Sequence, residues 1–409
     1  MIPRNAINRR QVLQSAAAGA ALGLLGPGTR ATVAAAPPSP VKIAEPFHGA
    51  VLNHRHGRQT ADALVIRVSG TAPGGGRVTG NGVTCQRQGN RFQADVALRE
   101  AETDLVAVAE AEGRRHENRV RVVWDRYSEP RYRFAIDDNS FFLRDIARKN
   151  YRSLFDCFYL RMLRGLNRKY GAKFVLNIYY TAADDAKFPT AADFRLPQFP
   201  ARYKGEWRDN ADWLKLAFHA HSNKPDRPYQ DASPEKLLAD MRLVDAEIRR
   251  FAGEETYTVT TCVHWGMIRP STFKPLYDYG VRVLSSDFWY RGDKWDVNCE
   301  LPDDVSAYIA SHDAWKDFQS GLVFSMVDIV CNSVKADRIA ETLEPLGKDP
   351  GRAEIMDLFT HEQYFWPFYM NYIPDHAERI EKAIRWVTER GYKPVFFHEG
   401  FLGGRPPAA

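Results

Sequence analysis

From about residue 130 to its end, this chain alternates apolar, strand-like segments with amphipathic helical segments, and this alternation constrains the fold most strongly. Helical segments are predicted over residues 151–170, 233–253 and 375–390. The apolar segments cover residues 132–136, 173–180, 257–263, 281–284 and 393–397. Strands that are apolar on both faces and joined by helices form parallel sheets, and over about 280 residues a barrel is an economical closure. We therefore predict a (β/α) barrel over residues 127–409, with its active residues at the carboxyl ends of the strands.

Residues 37–126 have a different pattern. Period-two alternation predicts strands at residues 63–68, 77–79, 91–96, 104–108 and 119–124. Glycine-containing turns separate these strands at a spacing of roughly ten residues, which is typical of an immunoglobulin-like β-sandwich. Residues 126–130 form the predicted linker to the barrel. Within the barrel, residues 181–210 are polar but contain five aromatic side chains, so we expect an ordered substrate loop there rather than a disordered insertion.

The first 36 residues have the features of a bacterial export signal. The arginine pair Arg9-Arg10 precedes an apolar stretch at residues 16–25, and three alanines at 34–36 precede Pro37-Pro38. This order predicts export by the twin-arginine pathway to the periplasm or the exterior. The apolar stretch is too short to span a bilayer as a membrane anchor.

Loss of this leader changes the charge argument. The leader contains Arg4, Arg9, Arg10 and Arg30 and no acidic residue, so the formal net charge of +5 becomes +1. A nearly neutral protein gives no support for a nucleic-acid partner or an anionic membrane partner. The five cysteines are scattered and include no Cys-x-x-Cys pair, which argues against a zinc ribbon or a disulfide scaffold and leaves one or two disulfides open.

Candidate catalytic residues occur at five predicted strand ends. Asp137-Asp138 follow the first apolar segment, and burying two neighbouring carboxylates costs several kcal/mol unless they bind a cation or serve in catalysis. The later strand ends supply His219, His221 and Asn223, then His264, then His361 and Glu362, and finally His398 and Glu399. Carboxylate and imidazole groups are the ligands of Zn²⁺ or a similar divalent ion, and a carboxylate left over can deprotonate water.

Aromatic residues near these strand ends indicate a carbohydrate substrate. Eight of the nine tryptophans lie beyond residue 130, and sugar rings stack on aromatic faces. Trp265 and Trp366 are therefore predicted to bind a glycan, together with Arg269 and Glu399. Burial in the core is the alternative for the tryptophans, and a solvated surface position is the alternative for Arg269.

The same segments resemble the polysaccharide deacetylases of the NodB-homology type. The run from Phe134 to Asn139 is similar to the family's Thr-Phe-Asp-Asp-Gly strand end, and His219 with Asn223 is similar to its His-Ser/Thr-x-x-His/Asp/Asn segment. Residues 262–270 fall where an Arg-Pro-containing strand end belongs, and residues 358–361 resemble the Leu-x-His motif. The resemblance covers about residues 130–400.

This resemblance implies a distorted (β/α) barrel of the glycoside hydrolase and deacetylase type. It also implies one divalent metal, expected to be Zn²⁺, and removal of an N- or O-acetyl group from a carbohydrate by a metal-activated water. Carried over by position, Asp137 corresponds to the general base, Asp138 and His219 to metal ligands, and His361 to the general acid.

Two departures from the family pattern affect the site. Asn139 stands where the family has glycine, and Asn223 stands where it often has a second histidine. His221 shares a strand face with His219, and His264 lies at the neighbouring strand end. The third metal ligand is therefore open among His221, Asn223 and His264.

Two other functions remain open at this point. A glycosidase or lyase on the same barrel would pair Asp137 with Glu362 or Glu399 as its two carboxylates. A non-catalytic carbohydrate-binding protein would keep the same rim without turnover. The sequence makes no prediction of the oligomeric state.

Overall fold

The computed structural model describes residues 40–111, 113–182 and 194–397. The predicted leader, the predicted substrate contact Glu399 and part of the predicted loop at 181–210 lie outside the described residues. Within them, the fold is mixed α/β, with five β-sheets and eight α-helices. No helix among the described residues combines the length and the apolar character needed to cross a lipid bilayer. All five cysteines are free thiols.

The amino-terminal part consists of two five-stranded sheets. Its ten strands are β1 Lys42–Glu45, β2 Val51–Leu52, β3 Gly57–Gln59, β4 Leu64–Thr71, β5 Val78–Gly80, β6 Val83–Thr84, β7 Gln86–Gln88, β8 Arg91–Leu98, β9 Glu102–Ala111 and β10 Arg114–Trp124. One sheet has the order β1-β4-β8-β7 with β3 on β4, and the other has the order β2-β10-β9-β5-β6. The strands pair antiparallel except for β2 with β10.

The five strands predicted in this part are confirmed, each within a few residues of its predicted bounds. Strand β8 alternates strictly between exposed and buried residues, because one of its faces packs on the core and the other meets water. Buried residues from both sheets, such as Phe92 and Val122, belong to one hydrophobic cluster. The immunoglobulin-like topology and the domain boundary at 126 stay predictions.

The carboxy-terminal part contains eleven strands and all eight described helices. The strands are β11 Arg131–Asn139, β12 Phe174–Tyr179, β13 Leu214–Ala220, β14 Val283–Ser286, β15 Trp289–Arg291, β16 Lys294–Asp296, β17 Ala314–Lys316, β18 Val323–Met326, β19 Ile329–Val330, β20 Ile355–His361 and β21 Lys393–Pro394. The helices are α1 Phe141–Lys149, α2 Phe158–Tyr170, α3 Lys204–Arg208, α4 Pro234–Phe251, α5 Phe273–Tyr279, α6 Asp303–Ile309, α7 Ile339–Lys348 and α8 His376–Glu389.

Three predicted helices are confirmed, although α2 begins at Phe158 and not at residue 151, and local chemistry explains several of their bounds. Helix α2 ends at Gly171, whose φ of 70° is the left-handed conformation that glycine adopts at little cost. Helix α4 begins at Pro234, and the Ser233 side chain accepts a hydrogen bond from the Lys236 N–H group. Helix α8 lies within one residue of its predicted bounds at both ends.

The central sheet is parallel, as predicted, and has the order β13-β12-β11-β20-β19, with β21 pairing to the start of β11. Strands β11 and β12 are buried along almost their whole length, because helices or other chain segments cover both faces. The three-stranded sheet has the order β14-β18-β17, and β15 and β16 form a separate hairpin.

The prediction of a strand over 257–263 is wrong. This segment forms only one isolated bridge, between Tyr257 and Leu216. The Thr260 hydroxyl donates a hydrogen bond to the Cys262 carbonyl group and accepts one from the Cys262 N–H group. These bonds occupy backbone groups that would otherwise pair with a neighbouring strand.

Chain segments between the central sheet and the three-stranded sheet make hydrogen bonds to strands of both sheets, on both sides. On one side, Leu216 donates to the Thr256 carbonyl at 2.9 Å and Ser285 donates to the Thr261 carbonyl at 2.7 Å. On the other side, Val327 donates to the Ser286 carbonyl and Asp328 to the Asp357 carbonyl, both at 3.0 Å. A closed barrel stays a prediction.

Candidate metal centre

The two adjacent aspartates lie at the carboxyl end of β11, where the backbone departs from a regular strand. Asp138 has a φ of 62°, and the register with β12 shifts between Ile136 and Asn139. Neighbouring residues of a regular strand point to opposite faces, whereas here both carboxylates reach the same imidazole ring, that of His219. Aspartate tolerates the left-handed conformation better than most residues do. The irregular backbone therefore brings both carboxylates into one site.

Three of the predicted ligands form a compact triangle. The Oδ1 atom of Asp138 lies 3.0 Å from Nε2 of His219 and 3.4 Å from Nδ1 of His264. The two imidazole nitrogens are 3.1 Å apart. All three side chains are at least 87% buried, so the three atoms share a space that is largely shielded from water.

The donor set fits a small divalent cation. One carboxylate and two imidazoles match the ligand chemistry of Zn²⁺, and two ligands at about 2.0–2.1 Å from a tetrahedral zinc ion lie about 3.3–3.4 Å apart. The three separations in the triangle approach these values. Of the three candidates for the third position, His264 is the one whose ring nitrogen lies with Asp138 and His219 in one group of possible ligand atoms, and several divalent metals accept such a donor set.

Asp137 lies on the other side of the His219 ring. Its Oδ2 atom is 3.6 Å from Nδ1 of His219, and its Oδ1 atom accepts a hydrogen bond of 2.5 Å from Asn177. Cys262 completes a second group, because ligand atoms of Asp137, His219 and Cys262 lie within 4.8 Å of one another. Burial raises the pKa of the Cys262 thiol well above its usual value, so the sulfur keeps its proton.

The charges of the cluster support one another. Burial disfavours charge on Asp138, but hydrogen bonds from His219 and His264 outweigh it and hold the pKa of this carboxyl well below its usual value. Burial likewise lowers the pKa of His219, but Asp137 and Asp138 more than compensate, and the net result is a raised pKa. The carboxylates and the His219 ring thus each favour the charged form of the other.

Three residues of the cluster were missed at the sequence level. The Tyr179 hydroxyl donates to Asp138 Oδ1, and Gln363 donates to Asp138 Oδ2 at 2.8 Å. Asn177 and Tyr179 both come from β12, two residues apart, so they share one face of the strand. Two polar side chains at this spacing inside an otherwise apolar strand could have predicted that Asn177 and Tyr179 belong to the site. Gln363 lies in a short 3-10 helix after β20 and gave none.

Asn223 and His221 follow β13 but do not join the triangle. The Asn223 Oδ1 atom accepts a hydrogen bond of 3.1 Å from the Tyr179 hydroxyl, and its backbone carbonyl lies 3.1 Å from Nε2 of His264. The His221 ring packs on Tyr180, with the ring centroids 5.2 Å apart. Neither side chain meets the three ligand atoms directly.

His361 ends β20 directly beside Asp137, with which it is paired in the strand register. Its Nδ1 atom lies 3.0 Å from Asn332 Oδ1. An amide oxygen can only accept, so Nδ1 carries a proton in this contact. Burial lowers the pKa of His361, which favours the neutral ring.

Glu362 binds a helix terminus and not the triangle of Asp138, His219 and His264. Its two carboxylate oxygens accept hydrogen bonds from the backbone N–H groups of Ser140, Phe141 and Phe142, at the start of α1, and from the Trp366 indole. Burial raises the pKa of Glu362 to about 7 despite these four donors. The Trp366 side chain is buried against Phe141 and Phe158.

The remaining predicted substrate contacts differ in position. Trp265 directly follows His264, has a φ of 66° and is 38% exposed, and the Arg227 guanidinium lies 5.5 Å from its ring. Arg269 is exposed and pairs with Asp231 at 2.7 Å. Of these contacts, Trp265 is the one that combines proximity to His264, with ring centroids 6.2 Å apart, with a partly exposed aromatic ring.

Comparisons with known proteins give little further information. No protein-family model matches the chain, and no curated protein matches it. A β-glucuronidase from Parabacteroides merdae, solved with glycerol in its active site, is similar over 78% of this chain and 46% of its own, with 8% sequence identity and a TM-score of 0.23. A sialyltransferase from Photobacterium damsela is similar over 77% of this chain and 56% of its own, with 8% identity and a TM-score of 0.12.

The chain thus spans about half the length of each of these two proteins. Both TM-scores are too low to carry an argument about fold or function.

Proposed function

We propose that this protein is a hydrolase that requires a divalent cation, and that it removes an N- or O-acetyl group from a carbohydrate. The triangle formed by Asp138, His219 and His264 carries this proposal, because its donor set and its separations suit such an ion. The acetylated carbohydrate is supported by the resemblance of the strand-end motifs to the polysaccharide deacetylases. The partly exposed ring of Trp265, next to the triangle, suits stacking with a sugar.

A divalent cation in this position supplies Lewis acidity, which lowers the pKa of a water molecule and polarises an acyl carbonyl. Asp138, His219 and His264 hold the cation. Asp137 remains outside this ligand set and takes the proton of the attacking water as general base. Its Oδ2 atom lies 3.6 Å from Nδ1 of His219, which is too long for a hydrogen bond, so it acts on that ring through its negative charge.

His361 is proposed as the general acid for the leaving group. Because Nδ1 keeps its proton in the contact with Asn332, Nε2 must first take up a second proton, the one that Asp137 removes from the attacking water, and then donates it to the leaving group. Its position beside Asp137 in the strand register places the proposed acid and the proposed base on neighbouring strand ends.

Export and the finer fold are part of the same proposal. The hydrogen bonds that join the two sheets on both sides support a distorted barrel with the cluster at its carboxyl end. The twin-arginine leader would deliver a folded, cation-loaded protein outside the cytoplasm, where an extracellular glycan is available.

The paired-carboxylate alternative gains no support from the described residues. Glu362 uses both oxygens to bind a helix terminus, and Glu399 lies outside the described residues. Asp137 has therefore no second carboxylate of the predicted pair available to it in the part of the chain that the structure describes.

Metal analysis by inductively coupled plasma, on protein purified without added metal, tests the proposal. We expect close to one divalent ion per chain, loss of activity on chelation, and release of acetate without new reducing ends from an acetylated glycan panel. His264→Ala should lose the ion, whereas His221→Ala serves as the matched control and should keep it. A metal content near zero together with chelator-insensitive activity would overturn the proposal, and new reducing ends would favour a glycosidase.

A further inference from the structure

The Tyr179 hydroxyl lies among the proposed ligands, although no sequence motif marks it. It donates a hydrogen bond to Asp138 Oδ1 and lies 3.1 Å from Nδ1 of His264. The Tyr179 ring packs against both imidazoles, with ring centroids 5.3 Å from those of His219 and His264. Only 1% of Tyr179 is exposed, so its hydroxyl oxygen faces the same enclosed space as the three ligand atoms.

A second acceptor is available for the Tyr179 proton. Asn223 Oδ1 lies 3.1 Å from the hydroxyl oxygen, in addition to Asp138 Oδ1. A phenol has one proton and lone pairs on the same oxygen. When Asp138 Oδ1 binds a cation, the Tyr179 O–H bond can rotate so that the hydroxyl donates its hydrogen bond to Asn223 Oδ1 and keeps its proton. A lone pair of the hydroxyl then points towards the triangle.

We propose that the Tyr179 hydroxyl oxygen is a fourth ligand of the cation held by Asp138, His219 and His264. Asn223 is a positioning residue that accepts a hydrogen bond from the Tyr179 hydroxyl. This inference rests on the proposed function. The phenol stays neutral throughout, so it is the weakest of the four donors and the one that a substrate oxygen displaces. Three strong donors and one exchangeable donor satisfy the need of a catalytic site for a position that substrate can enter.

Titration of the metal-free protein with Co²⁺ tests this inference. Calorimetry measures the affinity, and the visible absorption of the bound Co²⁺ reports the number and type of its ligands. Tyr179→Phe should weaken Co²⁺ binding by about tenfold, a change typical of a lost ligand partner, and should alter the absorption spectrum. Asn223→Ala should change both in the same direction by less. Tyr229→Phe is the matched control, because this buried hydroxyl bonds to His221 and Asp240 outside the cluster.

The outcomes separate this inference from the proposed function. Equal affinity and an equal spectrum for the wild type and Tyr179→Phe would remove Tyr179 from the ligand set and leave the proposed function standing. A wild-type protein that binds no Co²⁺ would overturn both. Circular dichroism melting of the metal-free variants shows whether each one folds. If Tyr179→Phe does not fold, an unchanged spectrum in Asn223→Ala overturns the inference by itself.

Discussion

At the scale of single residues, the backbone conformation at Asp138 brings the carboxylates of Asp137 and Asp138 to the same histidine ring. A φ of 62° costs about 1–2 kcal/mol for most residues, and aspartate is one of the few that adopt it more readily. Side-chain contacts with Tyr179, Gln363 and His219 hold the conformation. Strain of this kind persists where the surrounding structure over-determines it, which is common at functional sites.

The division of labour between the two aspartates yields the first prediction. Asp137→Asn should lower turnover by about 100-fold or more, because an amide cannot take the proton of the attacking water. The metal content should stay close to that of the wild type, since Asp138, His219 and His264 remain. Steady-state kinetics and metal analysis of the same preparation measure both quantities. If the variant loses its ion, the main role of Asp137 is to act on His219 through its negative charge, and the general base lies elsewhere.

At the scale of secondary-structure elements, Glu362 connects the end of β20 to the start of α1. The first N–H groups of a helix have no partner inside the helix, and a carboxylate is a favourable acceptor for them. Both Glu362 oxygens accept such bonds, and the side chain is completely buried. The element that carries His361 is thereby fixed to the element that follows the aspartate pair.

Glu362→Gln is therefore expected to affect stability more than chemistry. The amide NH₂ group would face backbone N–H donors in place of a carboxylate oxygen, at a cost of about 1–3 kcal/mol in the free energy of unfolding. Urea denaturation should show this loss, whereas the metal content and the turnover per folded molecule should change little. The reverse result, unchanged stability with abolished turnover, would restore the predicted catalytic role of Glu362.

The sequence predicts elements better than it predicts the contacts among them. Continuous apolar strands and glycine-ended helices depend on local chemistry, so β12, α4 and α8 are predicted within one or two residues. Of the candidate ligands, Asp138 and His219 are predicted directly and His264 is one of three choices for the third position; the structure brings these three side chains together. The segment 257–263 is not a strand because the Thr260 side chain bonds to the backbone of Cys262, and the hydrophobic pattern does not show such a bond. The burial of Glu362 depends on the position of the first turn of α1 in the folded protein, which the local sequence does not show either.

At the scale of the whole molecule, a buried ion pair lies inside the carboxy-terminal part. Arg133 on β11 bonds to Asp357 on β20 at 2.8 and 2.6 Å, and both side chains are almost completely buried. Arg133 also bonds to Thr261, and Ser285 on β14 bonds to Asp357. One polar network thus connects strands of both sheets and the segment between them, which supports the proposed barrel closure.

The amino-terminal sheets contact this part through a close backbone approach at Gly49. The Lys316 N–H group donates to the Gly49 carbonyl at 2.8 Å, and the Trp315 indole donates to the His48 carbonyl at 2.6 Å. A β-carbon on Gly49 would lie 2.2 Å from Trp315 Nε1 and 2.5 Å from the Lys316 carbonyl oxygen. Only glycine permits this approach, and its φ of 85° adds a second requirement.

Gly49→Ala and Gly75→Ala together test whether this contact matters for folding. Both glycines have a φ of 85°, but a β-carbon on Gly75 would meet nothing within 4 Å. Gly75→Ala should therefore lose about 1–2 kcal/mol of unfolding free energy from backbone strain alone, and Gly49→Ala should lose about 1–3 kcal/mol more from the clash. Urea denaturation measures both values. If the two parts fold independently, the clash at Gly49 can be relieved by separating the parts, without unfolding either of them. The extra loss of stability should then disappear, and unfolding should separate into two transitions.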